Sequence, residues 1–386
     1  VWTPRKRAKS TNTLIDPVVF SELVLIERYN QPDTLSITGR LDDIRVLMEE
    51  GSGVYLVDDL ARPRFSGWAT PIERRGDKTG TVTYIGDLTL LWDRFCWPTP
   101  ANAWTNQTSS YDTQTAVNED RILGYITRNA GTSAYNGGGV DRRVSGLRVP
   151  ASLGRGSSAV TSARFQNLGQ LCADLAEAAN LRVRILFTPN EAGSNYFDVF
   201  VDDAPDLSSW AQFGDGYASG PGLLGEGWRY QVGAGVSMIL SAAQGELNAR
   251  GLDFLQDTTR RDNWGRHIEF FVDQRDTTDA TEISEGMANA MSENAPTVEA
   301  EAPIVSGSLT FGPGSGSIPV GAKVAVSLDG QIITERVRQL TTTVSVKDSG
   351  ATETVEPLFG TPDAGLTPEL KALLQGLRRI RTLEVR

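Results

Sequence analysis

Residues 263–287, NWGRHIEFFVDQRDTTDATEISEGM, hold the only histidine of the chain and a train of carboxylates: His267, Glu269, Asp273, Asp276, Asp279 and Glu282. A histidine among acids is what general acid–base catalysis or a metal site would use. Each of those chemistries needs a second signature, and the chain supplies none. There is no H-E-x-x-H and no C-x-x-C for zinc. The three-residue spacing of Asp273, Asp276, Asp279 and Glu282 does not match a calcium loop. A Ser-His-Asp triad or a Cys-His pair would have to use His267, but no G-x-S-x-G elbow occurs. Cys172 falls on an apolar helical stripe, and Cys96, in RFCWP, reads as a buried small hydrophobe with only Arg94 as a basic neighbour. No glycine run ends in the Lys-Ser/Thr of a phosphate-binding loop. With 48 Asp and Glu, spacing singles out no glycosidase pair. No catalytic, cofactor-binding or metal-ligating residue is assigned.

The same stretch reads better as architecture. RHIEFFVD alternates, with Ile268, Phe270 and Val272 on one face and His267, Glu269 and Asp273 on the other, as a half-buried strand does. A polar turn follows, then a helix with Ile283, Met287 and Met291 on its apolar side. Asp279 and Glu282 have capping-box spacing, which puts the acids at the positive end of that helix.

The 386 residues are enough for two to three domains. Two cysteines build no disulfide framework and suit a chain made in a reducing cytoplasm. A net charge of -11 and a pI near 4.8 argue against general binding to nucleic acid or anionic membrane, while suiting a channel through which a phosphate backbone slides without sticking. No apolar run approaches the ~20 residues a spanning helix needs.

These elements imply a mainly β fold with an α+β insertion. Residues 1–17 read as a flexible basic arm, VWTPRKRAKS at its start. From Phe20 to Trp97 short alternating runs such as ELVLIERYN and GTVTYIGDLTLLW suggest a small barrel or sandwich over residues 18–97, with GDKTG as a hairpin loop. Residues 98–225 read as an α+β domain: a helix in TAVNEDRILGYITRN, using Ala116, Ile122, Leu123 and Ile126, and a second whose stripe is Phe165, Leu168, Leu171, Cys172, Leu175 and Ala179. Residues 226–360 return to β, with Asp329-Gly330 as the strongest hairpin signal. Residues 361–386 read as an amphipathic helix, capped by Thr367 and Pro368, with Leu366, Leu370, Leu373, Leu374, Leu377 and Ile380 on one face. That stripe packs on its own chain or seams copies together. In the second case Leu370, Leu373, Leu374, Leu377 and Ile380 are the oligomer interface.

The order of these features resembles the siphophage tail hub family, the tail-tip or minor tail proteins common in phages of actinobacteria. The stretches that carry the likeness are TVTYIGDLTLLWDRFCWPTP, YITRNAG, ARFQNLGQLCADLAEAANLRVRI, GELNARG and WGRHIEFFVDQRDTTD, and together they span most of the chain from Phe20 to Gly360. The most diagnostic part contributes Trp264, Gly265, Arg266, Glu269, Asp273 and Arg275. The resemblance implies a homotrimeric hub, without enzymatic activity or cofactor, at the tail tip of the virion. Two tube-like β-barrel domains per subunit would join a six-fold tube to a three-fold tip and gate the channel. Its implied neighbours are a distal tail or tail tube protein, the tape measure protein and tip or fibre proteins. Viral DNA would pass through the lumen without specific binding, and the chain itself would bind no membrane. Relatives often carry a hydrolase or fibre domain beyond the hub. Here only the leucine-bearing helix follows Gly360, so lysis is expected from another protein. The alternative reading is a tail-associated hydrolase of peptidoglycan or polysaccharide with unidentified carboxylate catalysts. A third, a carbohydrate-binding module, rests on eight tryptophans, of which Trp92, Trp97 and Trp264 lie in regular patterns and read as core.

Overall fold

The computed structural model describes residues 2–9, 11–74, 78–189, 195–214, 223–224, 229–246, 249–275, 278–301, 304–305, 311–312, 316–328, 331–347 and 350–359. The expected C-terminal helix, with its leucine stripe, lies outside them. The chain forms two compact units, one of residues 1–225 and 303–362 and a second that contains residues 226–302. The β segment expected over 226–360 is therefore divided between them.

In the first unit, alternation builds the centre of the sheet. Glu22–Arg28, Thr34–Arg40 and Thr79–Gly86 bury Leu23 and Leu25, Leu35 and Ile37, and Val82 and Tyr84 on one face. They pair antiparallel in that order, followed by Pro63–Arg74, Gly53–Val57, Thr3–Arg7 and Leu14–Pro17. On the far side of Glu22–Arg28 lies the long strand Gln331–Lys347, with Ser345 opposite Glu22 and Gln339 opposite Arg28. It also pairs with Lys323–Leu328, Leu328 facing Gln331 as in a two-residue hairpin whose turn is outside the described residues, and with Gly350–Phe359. The sheet has 11 strands, ten along an open path that ends beyond Lys323–Leu328 at Gln212–Phe213, with Gly350–Phe359 off that path, and the described residues close no barrel.

The N-terminal segment is not a loose arm. Thr3–Arg7 is a sheet strand, Trp2 is buried, and Arg7 is wholly buried. The Arg7 guanidinium donates to both Asp87 carboxylate oxygens at 2.7 and 2.8 Å and to the Gly67 carbonyl at 3.2 Å. It lies 4.3 Å from the Trp68 ring centre and 5.1 Å from those of Phe187 and Phe197. A charge leaves water only when paired and hydrogen-bonded, and this one is both. Lys6 likewise pairs with Glu49.

The break expected at Trp97 is not a break in packing. Tyr55, Leu88, Leu91 and Cys96 share one core with Ile122, Tyr125 and Ile126 of the helix Asn118–Asn129, Cys172 of the helix Leu168–Ala178, and the hairpin strands Leu181–Thr188 and Tyr196–Asp203. Ala116 belongs to the strand Asp112–Val117 rather than to the helix after it. Asn167 caps the second helix, its side chain accepting from Gln170 N at 3.0 Å. That start leaves Phe165 outside the stripe, 41% exposed at φ 54°.

In the second unit, Met238–Ala242 is the middle of a three-stranded sheet. It pairs antiparallel with Leu252–Gln256 and parallel with Glu269–Asp273, the return being made through the helix Thr258–Trp264. The helix Ala280–Glu293 covers one face of this sheet, burying Met287, Ala290 and Met291 with Ile239.

Candidate functional site

Of the histidine and acids of residues 263–287, Glu269 and Asp273 lie on the strand Glu269–Asp273, His267 just before it, and Asp279 just before the helix Ala280–Glu293. Asp257 caps the helix Thr258–Trp264, accepting from Arg260 N at 3.0 Å, and Gly265 ends it in the left-handed region at φ 62°. A Cβ there would be strained whatever the space around it, so this glycine is a stop signal. Trp264 is 38% exposed and not core. Arg266, His267 and Glu269 are exposed. Asp273 does hold partners. Its carboxylate accepts from Arg275 at 2.6 and 3.0 Å and from Arg250, whose guanidinium also donates to the Ala242 and Ala243 carbonyls at 2.8 and 2.9 Å. The bonds from Arg275, and then those from Arg250, hold its pKa down at about 2. Arg250 and Asp273 therefore clamp the end of the strand Glu269–Asp273 to the segment between Ala242 and Leu252. Asp276 and the side chain of Glu282 lie outside the described residues. Ile283, Met287 and Met291 pack as expected.

Both thiols are buried. Burial, and secondarily the nearby Asp112, raises the Cys96 pKa to about 12, and burial pushes Cys172 well above the ordinary thiol value. Neither is a thiolate near neutral pH, so neither is a nucleophile there. Among the described residues no group of three or more His, Cys, Asp or Glu is placed to hold a metal ion. No described helix is long and apolar enough to cross a membrane.

Charged groups also gather beside the Arg7–Asp87 pair. Arg64 bonds Glu27 at 2.9 Å, and Asp33 accepts from Arg28 N at 2.6 Å. Desolvation raises Asp33 to about 6 against the pull of Arg182. The cavity between them, about 20 Å³, has room for about one water. A wider groove of about 670 Å³ runs beside Asp120, Leu123 and Thr127 of one helix and Arg148, Val149 and Pro150.

The most conspicuous surface is the bare face of the second unit's sheet. Phe254, Leu240 and Phe271 stand in one row across its three strands, and Leu252 lies beside them. Leu252, Phe254 and Phe271 are 68%, 59% and 52% exposed. Arg250 lies 6.0 Å from the Phe271 ring. Side chains of that size in a row mark a contact surface rather than a solvated one. Reading residues 267–273 as a strand with one apolar face passed over Phe271. The doubled phenylalanine at 270–271 was the available signal, because adjacent residues of a strand point to opposite faces.

Comparisons with known proteins give a family by sequence and further likenesses by fold. The family model described as siphovirus ReqiPepy6 Gp37-like protein matches residues 10–361. The 43 kDa tail protein of prophage MuSo2 from Shewanella oneidensis superposes with a TM-score of 0.51 at 10% identity, covering 92% of this chain and 98% of that one. The prophage tail protein gp18 from Listeria monocytogenes gives 0.50 at 9% identity, covering 98% and 99%. At such identities the likeness is one of fold. No curated protein sequence matches.

Proposed function

The chain belongs to the family of siphovirus ReqiPepy6 Gp37-like proteins, and from that premise we propose that it is a structural protein of the phage tail, the hub at the distal end of a long non-contractile tube. The observation that carries this reading is the extent of the fold likeness. Coverage of 92% of the chain by one prophage tail protein and 98% by another means that the whole architecture is shared, not one grafted module.

In this role the chain assembles as a homotrimer, each subunit lending two tube-like β domains. Three subunits then present six such domains to a six-fold tube and a three-fold face to the tip. Two features support an assembled rather than a solitary state. The strand Gly350–Phe359 pairs on one side only among the described residues, leaving a ten-residue edge for another chain to meet. The bare apolar sheet face of residues 238–273 is a second unsatisfied surface. The work of such a hub is binding and gating: it holds the channel shut until infection and then passes the DNA, and the net charge of -11 suits a lumen that must not retain a polyanion. Its neighbours in the tail are the tube or distal tail protein, the tape measure protein and the tip or fibre proteins.

Mass photometry of the purified chain, with an image of the virion tail tip at moderate resolution, tests this. The expected mass is three times the 41.8 kDa of one chain, with density for three copies at the tip. A monomer in solution together with absence from the tip overturns it.

A further inference from the structure

Residues 94–97 and 165–168 run side by side as a short antiparallel bridge. Phe95 lies opposite Asn167, with Cys96 N donating to the Gln166 carbonyl and Leu168 N to the Arg94 carbonyl, both at 2.9 Å. Neighbours along an extended chain point to opposite sides. Cys96 faces the core and is wholly buried, so Phe95 faces out and is 52% exposed. Phe165 is held outside as well, 41% exposed, at a φ of 54° that a side chain of its bulk rarely adopts. Strain of that kind collects at functional positions.

Cations border both rings. Arg142 donates to the Phe95 carbonyl at 2.6 Å and lies 3.9 Å from the ring centre of Trp97, which stacks on Tyr135. Arg94 precedes Phe95, and its like charge, after burial, lowers the Arg142 pKa to about 10. Arg164 is exposed, 5.8 Å from the Phe165 ring centre and 6.0 Å from that of Tyr111. Arg128 and Arg143 pair with Asp112 and Asp141, whereas Arg94, Arg142 and Arg164 are in no ion pair among the described residues.

On a chain of net charge -11, unpaired arginines between exposed aromatic rings are a local exception. Aromatic residues and arginine are the types that the centres of protein contacts favour, and the arginine fork takes a carboxylate on two bonds. The geometry points to a docking surface, Phe95 and Phe165 with Arg94 and Arg164, for an acidic surface of a different protein. Two copies of this chain meeting through the same patch would set arginines against arginines, so the patch does not pair with itself. The inference rests on the tail reading above, under which the partner is a neighbour in the virion.

Phenylglyoxal labelling of arginines and hydroxyl-radical footprinting, read by mass spectrometry on the purified chain and on intact virions, test it. Arg94, Arg164, Phe95 and Phe165 should label freely in the purified chain, whatever its oligomeric state, and about fivefold less in virions, because a packed contact excludes water. Equal labelling in the two overturns the inference, as does protection already present in the purified chain, which would make a second copy the occupant. In virions carrying Arg94→Lys with Arg164→Lys, which keep both charges, carbodiimide should join a substituted position to an aspartate or glutamate of a different virion protein. A link only to another copy of this chain, or no link, overturns it as well. Absence of the chain from virions would overturn the tail reading and this inference with it, whereas a chain that is present but equally labelled sinks the docking surface alone.

Discussion

Two arginine–carboxylate clusters stand in contrasting surroundings. Arg7 and Asp87 are wholly shut from water, the guanidinium boxed by Trp68, Phe187 and Phe197. Asp273 with Arg250 and Arg275 makes as many bonds, but Arg275 is 61% exposed. The lesson is that bond count does not measure worth. A buried pair stripped of one partner leaves a charge that nothing solvates, whereas an exposed pair is replaced by water and salt.

The largest effect is accordingly expected at the buried pair. Asp87→Ala should cost about 3–5 kcal/mol in denaturant unfolding, whereas Arg7→Met with Asp87→Leu, which removes both charges together, should cost much less. Equal losses in the single and double variants would mean that packing, not the lone charge, sets the effect.

The next effect is one of pH. Asp33 is raised by desolvation to about 6 from an ordinary 3.8, so the folded state holds its proton longer than the unfolded state does. Its contribution is fully present below about pH 4 and is lost as pH rises through 6, a fall of roughly 3 kcal/mol. Glu27 pushes the Asp33 pKa the same way as burial does, while Arg182 and Arg184 pull against it. Asp33→Asn keeps the acceptor for Arg28 N and should flatten the slope of stability between pH 4 and 6. A slope unchanged in the variant would assign it to another group.

At the exposed cluster the sign reverses. Asp273 is held down at about 2, so its stabilisation is present above pH 4 and lost as pH falls towards 2. Asp273→Ala should cost up to about 1 kcal/mol at neutral pH, shrinking in high salt. A loss of 3 kcal/mol or more would put this cluster in the same class as the buried one. The smallest effect belongs to the exposed His267. His267→Ala should change stability by less than about 0.5 kcal/mol and leave infectivity intact. Loss of infection with normal assembly, or a cleared band on a cell-wall zymogram that the substitution abolishes, would return chemistry to this stretch.

The contrast also marks how far the sequence could be read. Glu22–Arg28, Thr34–Arg40 and Thr79–Gly86 were legible because each buries one face, which leaves an alternation of period two. Thr3–Arg7 was not. Its TPRKR looks solvated, and what buries Arg7 is a carboxylate eighty residues away and an aromatic box drawn from two other parts of the chain. The strand Glu269–Asp273 beside an exposed His267 was legible from the alternation of that stretch. The bare face was not, because Phe254 and Phe271 meet only through the pairing of both strands with Leu240.

The placement of Ser345 opposite Glu22 carries a consequence for synthesis. More than three hundred residues separate the two, so the edge of Glu22–Arg28 stays unpaired while all of them are being translated. A hydrophobic strand left open that long is a template for wrong partners, and polysomes place such edges on neighbouring nascent chains. The late arrival of Gln331–Lys347 makes completion of the sheet a report that the ribosome has read past that strand. Prematurely terminated chains would lack that strand, and with it the platform on which an ordered assembly could build.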